Sequence, residues 1–146
     1  MSDVFFQEFH VRWSDLDPNF HMRHTAYLDL CAATRFAYLE TLGFDGPTFA
    51  KLRMGPIIFN ENISYLKEVL PGDQVKVNVR MSALSEDGRK WEMKQEIFRV
   101  SDGELSAVLI ISGAWFDLVK RKVSLPPDLL KSKIDQLPKT EDFRII

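Results

Sequence analysis

Residues 25–42 predict a long helix that is apolar on nearly every side. The apolar side chains of this segment cover most of a helical wheel, and polar residues interrupt them only here and there. A helix of this kind is stable when other parts of the protein bury it on most sides. Thr25 is the predicted N-cap, and Gly43 is the predicted stop at the C-terminal end. The rest of the chain must therefore provide an extended surface that covers this helix.

Alternating apolar and polar residues predict one strand before this helix and four strands after it. Because successive side chains of a strand point to opposite faces, this alternation indicates strands with one buried face, and Trp13 is expected on the buried face of the first. Asp-Gly pairs at 87–88 and 102–103 are tight-turn signals, so the last three strands form an antiparallel meander. The predicted strands cover residues 5–13, 56–66, 73–84, 88–100 and 104–118.

This order of elements predicts an α+β fold in which a five-stranded antiparallel sheet curls around one long central helix. A short C-terminal helix from Pro126 to Leu137 is expected to brace the surface. The 146 residues, 45% of them apolar, are expected to form one domain, with its core in residues 5–119 and a tail in residues 120–146. Curling leaves one sheet edge exposed, so we expect a homodimer or a dimer-of-dimers tetramer.

The composition argues against several classes of protein. A formal net charge of −2 gives no general attraction to nucleic acid or to acidic lipid. Cys31 is the single cysteine, which excludes an internal disulfide and leaves too few thiols for a structural zinc site. No signal peptide is recognised, and no apolar run approaches the roughly 18 residues of a membrane span. We therefore expect a cytoplasmic protein that binds neither nucleic acid nor membrane.

The segment between the first strand and the long helix carries the residues best suited to chemistry. Residues 11–24 read VRWSDLDPNFHMRH and hold two acids and two of the three histidines in the chain. They come directly before a helix, whose first backbone N–H groups have no partner within the helix. A base that activates water and a donor for an anionic oxygen can therefore lie close together here.

With these motifs the chain resembles the hotdog-fold thioesterases, in the 4-hydroxybenzoyl-CoA thioesterase-like branch that acts on acyl-CoA and acyl-carrier proteins. The resemblance covers residues 5–119. In the family the matching segments read like R-W-x-D-x-D, then G-H-V-N-N-x-x-Y-L, then a segment that ends in Ala-Arg. The segments that carry the resemblance here are VRWSDLD at 11–17, HMRHTAYL at 21–28, Arg35, Leu42-Gly43 and PGD at 71–73.

The chain departs from the family pattern at five positions of these segments. Phe20 stands where the family usually has glycine, and Arg23 and His24 stand where it has an Asn pair. Ala32 and Ala33 fall where many members carry carboxylates on the helix. The acid that remains to match the family is the one in the loop.

The resemblance implies hydrolysis of an acyl thioester to a free acid and a thiol, without a metal or another cofactor. It assigns Asp17 as the acid that activates water or attacks the thioester carbonyl, and the backbone amide of His24 as the group that polarises this carbonyl. His21 orients the substrate or Asp17, or it only hydrogen-bonds a backbone carbonyl. From the residues alone, the favoured interpretation of Asp17 is an acid that organises the loop as an Asx turn.

The acids outside this assignment have simpler interpretations. Asp15 can raise the pKa of a neighbouring carboxylate, but we favour a structural acid that pairs with Arg12 or Arg35. A metal cluster of the two acids and two histidines is a weaker alternative, since the family needs no metal. Glu61 occupies the apolar register of its strand, so it either faces the cleft across a dimer interface or, as we favour, is turned outward by a bulge.

The remaining candidates concern substrate binding. Phe20 and Tyr27 are expected to line the acyl pocket, together with the apolar faces of the helix and strands. The phosphates of coenzyme A need cations, and Lys120-Arg121-Lys122 is the strongest cluster, with Arg53 and Lys67 as second choices.

Two other functions fit the same segment. Hotdog enoyl-thioester hydratases use a D-x-N-P-x-H loop, and residues 14–21 look like it, but neither acid has the required spacing to His21. A non-catalytic hotdog protein that binds acyl groups is the other alternative, because Phe20 could crowd the acyl channel.

Overall fold

The computed structural model describes residues 4–146 and shows a mixed α+β architecture, in which a long helix packs on a curled antiparallel sheet. A short 3-10 turn at Trp13–Asp15 follows the first strand. In chain order the elements are β1 (Phe5–His10), α1 (His24–Thr41), α2 (Gly46–Leu52), β2 (Met54–Tyr65), β3 (Gln74–Leu84), β4 (Lys90–Arg99), β5 (Leu105–Asp117), β6 (Lys122–Val123), α3 (Asp128–Asp135) and β7 (Lys139–Ile145).

The five predicted strands form the main sheet in the order β1-β3-β4-β5-β2, and all neighbouring pairs are antiparallel. Two strands that the sequence did not predict bring the described sheet to seven: β6 pairs with β5, and β7 runs parallel to β3. β7 escaped prediction because its sequence, KTEDFRI, is mostly polar and lacks the alternation of a half-buried strand. β2 lies at one edge of the sheet.

α1 begins one residue earlier than predicted, and it is buried on one side rather than nearly all round. Its N-cap is Arg23, whose backbone is extended, and not Thr25. Gly43 follows the helix with φ of 89°, a conformation that favours glycine and ends the helix as predicted. In the described chain the opposite side of α1 is open, and Phe36 is 57% exposed there. The buried residues are Ala26, Tyr27, Leu30, Cys31, Thr34 and Leu39.

A buried glutamine joins α1 to the middle of the sheet. Gln95 on β4 is completely buried, and its Nε2 donates to the backbone oxygens of Cys31 at 3.0 Å and of Asn78 at 3.2 Å. Its Oε1 accepts a hydrogen bond of 2.7 Å from Arg35 Nη1. Because a buried amide is costly unless its donors and acceptor are paired, this residue fixes the position of the helix on the sheet.

One local prediction needs correction, and one short helix was not predicted. β1 ends at His10, so Trp13 falls in the 3-10 turn and is 89% exposed instead of buried. α2, whose N-cap Asp45 accepts a 2.9 Å hydrogen bond from Thr48 N, is too short to show a helical period in the sequence. α3 forms within the range predicted for the C-terminal helix, and it packs one face on the protein through the buried Leu130 and Ile134. No helix in residues 4–146 has both the length and the apolar character needed to cross a membrane.

Candidate active site

A cleft of about 350 Å³ lies where the loop before α1, the first turn of α1 and the end of β2 meet. Four residues predicted for the site come together here, namely Asp17, His21, His24 and Tyr27. The complete lining is Asp17, His21, Met22, His24, Tyr27, Tyr65, Leu66, Lys67 and Glu68. The cleft thus combines ionisable side chains with an apolar wall.

The loop that carries Asp17 closes on itself. The backbone N–H of Asp17 donates to His21 O at 2.9 Å, and the backbone carbonyl of Asp17 accepts from Phe20 N at 3.0 Å. Side-chain Oδ1 accepts a 2.8 Å hydrogen bond from Asn19 N, which makes Asp17 an Asx-turn residue. Oδ2 lies 3.0 Å from His21 Nδ1. One carboxylate oxygen therefore organises the loop, while the other is held by the histidine.

The entrance to α1 is fixed by two backbone hydrogen bonds. Met22 N donates to Val69 O at 2.8 Å, and Arg23 N donates to Asp15 O at 2.7 Å. These bonds place His24, the first residue of the helix, at the wall of the cleft. Its N–H has no carbonyl one helical turn earlier to bond, and the helix dipole makes this end partially positive. An oxygen that gains negative charge is favoured here.

Tyrosines form the apolar wall of the cleft. Tyr27 on α1 is only 4% exposed, and its ring meets that of Tyr65 on β2 edge to face, with centroids 5.0 Å apart. Burial raises the pKa of the Tyr27 hydroxyl above its ordinary value. The ring therefore stays neutral at physiological pH and provides a surface for an apolar group.

Asp15 is built into the protein as a structural acid. The residue is 2% exposed, and its carboxylate accepts hydrogen bonds from Arg12 N at 2.8 Å and from Arg12 Nη2 at 3.0 Å. The hydrogen bond from the guanidinium lowers the pKa of Asp15. The favoured interpretation of Asp15 as a structural acid is therefore confirmed, with Arg12 as the partner. Among residues 4–146, no three His, Cys, Asp or Glu side chains converge as metal ligands.

A family model of the thioesterase-like superfamily matches residues 11–134, which include the Asp17 loop and the start of α1. The chain belongs to this superfamily. None of the curated proteins matches it in sequence.

Solved structures share the fold of this thioesterase-like chain. Protein SAV2348 from Staphylococcus aureus, solved in complex with CoA, has a TM-score of 0.85 and 17% identity over 99% of this chain and 88% of its own. Slr0204 from Synechocystis, a 1,4-dihydroxy-2-naphthoyl-CoA thioesterase, has a TM-score of 0.81 and 16% identity over 92% and 97%. The DHNA-CoA thioesterase of S. aureus has a TM-score of 0.76 and 21% identity over 84% and 80%.

Phe20 lies outside the cleft of this thioesterase-like chain. Its ring is 73% exposed in a neighbouring depression lined also by Trp13 and Leu16. Its backbone has φ of 59°, in the left-handed region that favours glycine. The glycine that the family usually has at this position therefore has a conformational reason, and the expectation that Phe20 lines the acyl pocket is not met.

Glu61 also lies away from the residues that line the cleft. The prediction that a bulge turns its side chain to the outer face of the sheet is wrong. A bulge does interrupt β2, but it falls between Ile58 and Asn60. Glu61 pairs with Ile111, which is fully buried, and paired residues of antiparallel strands share one face. Glu61 therefore remains on the face that carries α1, where its charge acts on Arg35.

The basic cluster predicted for phosphate lies at the far end of the sheet. Leu66 N and Lys67 N at the cleft donate to Ser106 O, near the start of β5, whereas Lys120 and Arg121 follow its end at Asp117. These eleven steps along β5 correspond to roughly 36 Å. Within one chain, Lys120 and Arg121 therefore do not reach the cleft.

Sequence reasoning missed most of the second wall of the cleft. The sequence pattern indicates Tyr65 only as part of the predicted strand 56–66 and Lys67 only as a second-choice cation, although both line the cleft with Glu68. The available signal is the end of the alternating pattern at Tyr65, followed after Leu66 by the charged residues Lys67 and Glu68. That signal does not reveal that this strand end lies beside the loop before α1.

Proposed function

We propose that the protein hydrolyses acyl thioesters of coenzyme A to a free acid and the CoA thiol. The observation that carries this proposal is that the Asp17 carboxylate and the first turn of α1 face one cleft with an apolar wall. Membership of the thioesterase-like superfamily supports the reaction class. Coenzyme A is favoured over an acyl-carrier protein as the thiol, because structures of the same fold include a CoA complex and a CoA thioesterase.

The geometry suggests a role for each group in this reaction. The thioester carbonyl oxygen accepts a hydrogen bond from the His24 backbone N–H, which favours the charge that develops on that oxygen. Asp17 Oδ2 either takes a proton from the attacking water or attacks the carbonyl carbon itself. In either case the carbon–sulfur bond then breaks, and the thiolate leaves and takes up a proton. If Asp17 is the nucleophile, water next hydrolyses the mixed anhydride between Asp17 and the acyl group, which releases the free acid and restores the carboxylate. His21, whose Nδ1 lies 3.0 Å from Oδ2, keeps that oxygen oriented as a positioning residue.

We further propose that the protein acts as a homodimer with the hotdog arrangement, in which α1 becomes a central helix. Two features of the single chain support this. The open side of α1 exposes Phe36, and the edge strand β2 exposes Ile58 at 48% and Phe59 at 56%. Large apolar side chains along an unpaired sheet edge favour pairing with another chain, and a second copy provides the same edge.

Release of free thiol from a panel of acyl-CoA and acyl-carrier-protein substrates, followed with a colorimetric thiol reagent, tests the reaction. Cys31, the single cysteine, is completely buried, and burial raises the pKa of its thiol to about 12. The protein therefore gives no background in this assay. We expect turnover with at least one acyl-CoA and loss of turnover in Asp17→Asn.

The two other functions give different results in the same experiment. Loss of enoyl absorbance from crotonyl-CoA without thiol release would identify a hydratase. Tight binding of acyl-CoA without release of thiol from any member of the panel would identify a binding protein. Either result would replace thioester hydrolysis as the function.

A further inference from the structure

One end of the cleft is closed by a pair of aromatic rings. Tyr27 on α1 and Tyr65 on β2 both line the cleft, and their rings meet edge to face with centroids 5.0 Å apart. Tyr27 is buried, whereas Tyr65 is 49% exposed and forms the accessible side of the pair. Cys31, one turn further along α1, and Ile63, two residues back along β2, are not among the residues that line the cleft. The cleft therefore ends at the two rings.

Beyond these rings, α1 and β2 continue side by side. Residues four apart on α1 share one helical face, and residues two apart on β2 share one face of the sheet. On this face the β2 residues pair with Ala107, Leu109 and Ile111 of β5, which are all buried, so they point to the side of the sheet that carries α1. The two facing sets are Tyr27, Cys31 and Arg35 on α1, and Tyr65, Ile63 and Glu61 on β2.

Cys31 comes directly after the ring pair on this path. It is one helical turn, or about 6 Å, beyond Tyr27. Burial raises the pKa of the Tyr65 hydroxyl, and the neighbouring Cys31 raises it further, which places the thiol near the Tyr65 ring. Cys31 is completely buried and packs as a small apolar residue. An apolar group that passed the rings would therefore reach Cys31 next.

Arg35 limits this path one further turn along α1. Its Nη1 donates a 2.7 Å hydrogen bond to Oε1 of the buried Gln95, and the charge of Glu61 acts on it. Charged groups that lose their contact with water need polar partners, which a hydrocarbon chain does not supply. The part of the path that suits an apolar group thus extends from the cleft to Cys31 and no further.

We propose that the Tyr65 ring, held against Tyr27, is the floor of the acyl pocket and limits the substrates to compact acyl groups. The inference rests on the proposed function, since it names the class of acyl group for the same site. The cleft of about 350 Å³ is at the small end of the roughly 300–1,000 Å³ of ligand pockets, and it must also receive the thioester group. A longer chain has to displace one of the two rings, and Tyr27 is fixed in the core. Tyr65 therefore sets the limit on chain length.

The first experiment measures kcat/KM for butyryl-, octanoyl- and dodecanoyl-CoA. In the wild type the value should be highest for butyryl-CoA. Tyr65→Ala should raise the ratio of octanoyl-CoA to butyryl-CoA by about tenfold or more, because each methylene that the enlarged pocket buries contributes about fourfold. Tyr65→Phe keeps the ring and should keep the wild-type ratio. An unchanged ratio in Tyr65→Ala, or a wild-type preference for dodecanoyl-CoA, would overturn the proposal.

Tyr38→Ala is the matched control for the loss of a tyrosine. Tyr38 is on α1 and also stacks on an aromatic ring, that of Phe5, with centroids 4.9 Å apart, but it does not line the cleft. Its replacement removes similar packing without enlarging the pocket, so the ratio of octanoyl-CoA to butyryl-CoA should stay at the wild-type value. A rise as large as that in Tyr65→Ala would attribute the change to a loosened helix and reject the role of Tyr65.

Labelling of Cys31 with N-ethylmaleimide, followed by mass spectrometry, tests the floor without any turnover. Cys31 is the single cysteine, and in the wild type and in Tyr38→Ala it should react slowly because it is buried. In Tyr65→Ala the cleft should reach the thiol, and labelling should be at least about tenfold faster. The thioether S-octyl-CoA, which cannot be hydrolysed, should slow this labelling, whereas S-ethyl-CoA is too short to do so. Equal labelling rates in Tyr65→Ala and Tyr38→Ala, or equal protection by the two thioethers, would reject the floor.

These measurements let the floor and the proposed function fail separately. If the wild-type protein releases no thiol from any substrate, hydrolysis is refuted, but faster labelling in Tyr65→Ala and protection by S-octyl-CoA would still support the floor. If thiol is released while Tyr65→Ala keeps the wild-type chain-length profile and an unreactive Cys31, hydrolysis stands and the floor is refuted.

Discussion

Asp15 and Asp17 are two residues apart in one loop, yet the fold uses them in opposite ways. Asp15 is 2% exposed and accepts hydrogen bonds from the backbone and side chain of Arg12. The Asp17 side chain is 21% exposed, lines the cleft and holds one oxygen against His21. A carboxylate whose oxygens are saturated by an arginine stabilises the loop, whereas one that faces a cavity remains available for chemistry.

Replacement of Asp17 should show the difference between the roles of the two acids most clearly. Asp17→Asn keeps the size of the side chain and can still accept the hydrogen bond from Asn19 N, but it removes the base or nucleophile. We expect the rate of thiol release to fall by about 10²–10⁴-fold. The midpoint of thermal unfolding should change little, because the turn is preserved. A variant that kept the wild-type rate would remove Asp17 from the mechanism.

Asp15→Asn should have the reverse effect, with a loss of stability. The buried amide cannot replace the carboxylate as acceptor for the N–H groups of Arg12, so the free energy of unfolding should fall by about 1–2 kcal/mol. Denaturation in urea measures this change, and Asp17→Asn is the matched control. A rate loss as large as that of Asp17→Asn in the folded variant would contradict a purely structural role.

The contact between Arg12 and Asp15 also predicts that the stability of the protein depends on pH. Because Arg12 lowers the pKa of Asp15 in the folded protein, Asp15 contributes stability that is present above the ordinary value of 3.8 and is lost as the pH falls through the folded-state pKa. Below about pH 4, stability should therefore decline less steeply in Asp15→Asn than in the wild type. Equal slopes for the two proteins would contradict the lowered pKa.

His21 should have a smaller effect, transmitted through Asp17. His21→Ala removes the donor that lies 3.0 Å from Asp17 Oδ2, and we expect kcat to fall by about tenfold with little change in KM. His21→Asn can place an amide donor near the position of Nδ1 and should restore part of the rate. A change in KM alone, or the lack of any rescue by Asn, would indicate that His21 acts on the substrate or on folding instead.

The sequence could predict the parts of the molecule that depend on neighbouring residues. The alternation and the long apolar segment located the five main strands and α1 with small errors at their ends, except that β1 stops three residues before its predicted end at Trp13. Asp17, His21, His24 and Tyr27, which the sequence singled out, all line the cleft. They do so because they are close together in the chain, on a loop that leads directly into a helix.

The parts that the sequence could not predict depend on tertiary contacts or on unusual backbone conformations. Lys67 and Glu68 reach the cleft because Met22 N bonds to Val69 O, a contact that no local pattern contains. α1 is buried on just one side because the sheet packs against that side and leaves the other open. β7 forms because β3 has a free edge beyond β1, although its own residues are mostly polar.

The smallest expected effect is a change in stability at Phe20, which affects the conformation of the loop but does not line the cleft. Its φ of 59° is unfavourable for a residue with a Cβ atom, whereas glycine adopts it freely. Phe20→Gly should therefore raise the free energy of unfolding by about 0.5–1 kcal/mol, because the conformational gain exceeds the greater backbone entropy of glycine in the unfolded chain. Phe20→Ala, which keeps the Cβ atom, is the matched control and should give no such gain. If both variants stabilised the protein equally, the exposed ring and not the backbone would be the source, and the glycine of the family would lose its conformational explanation.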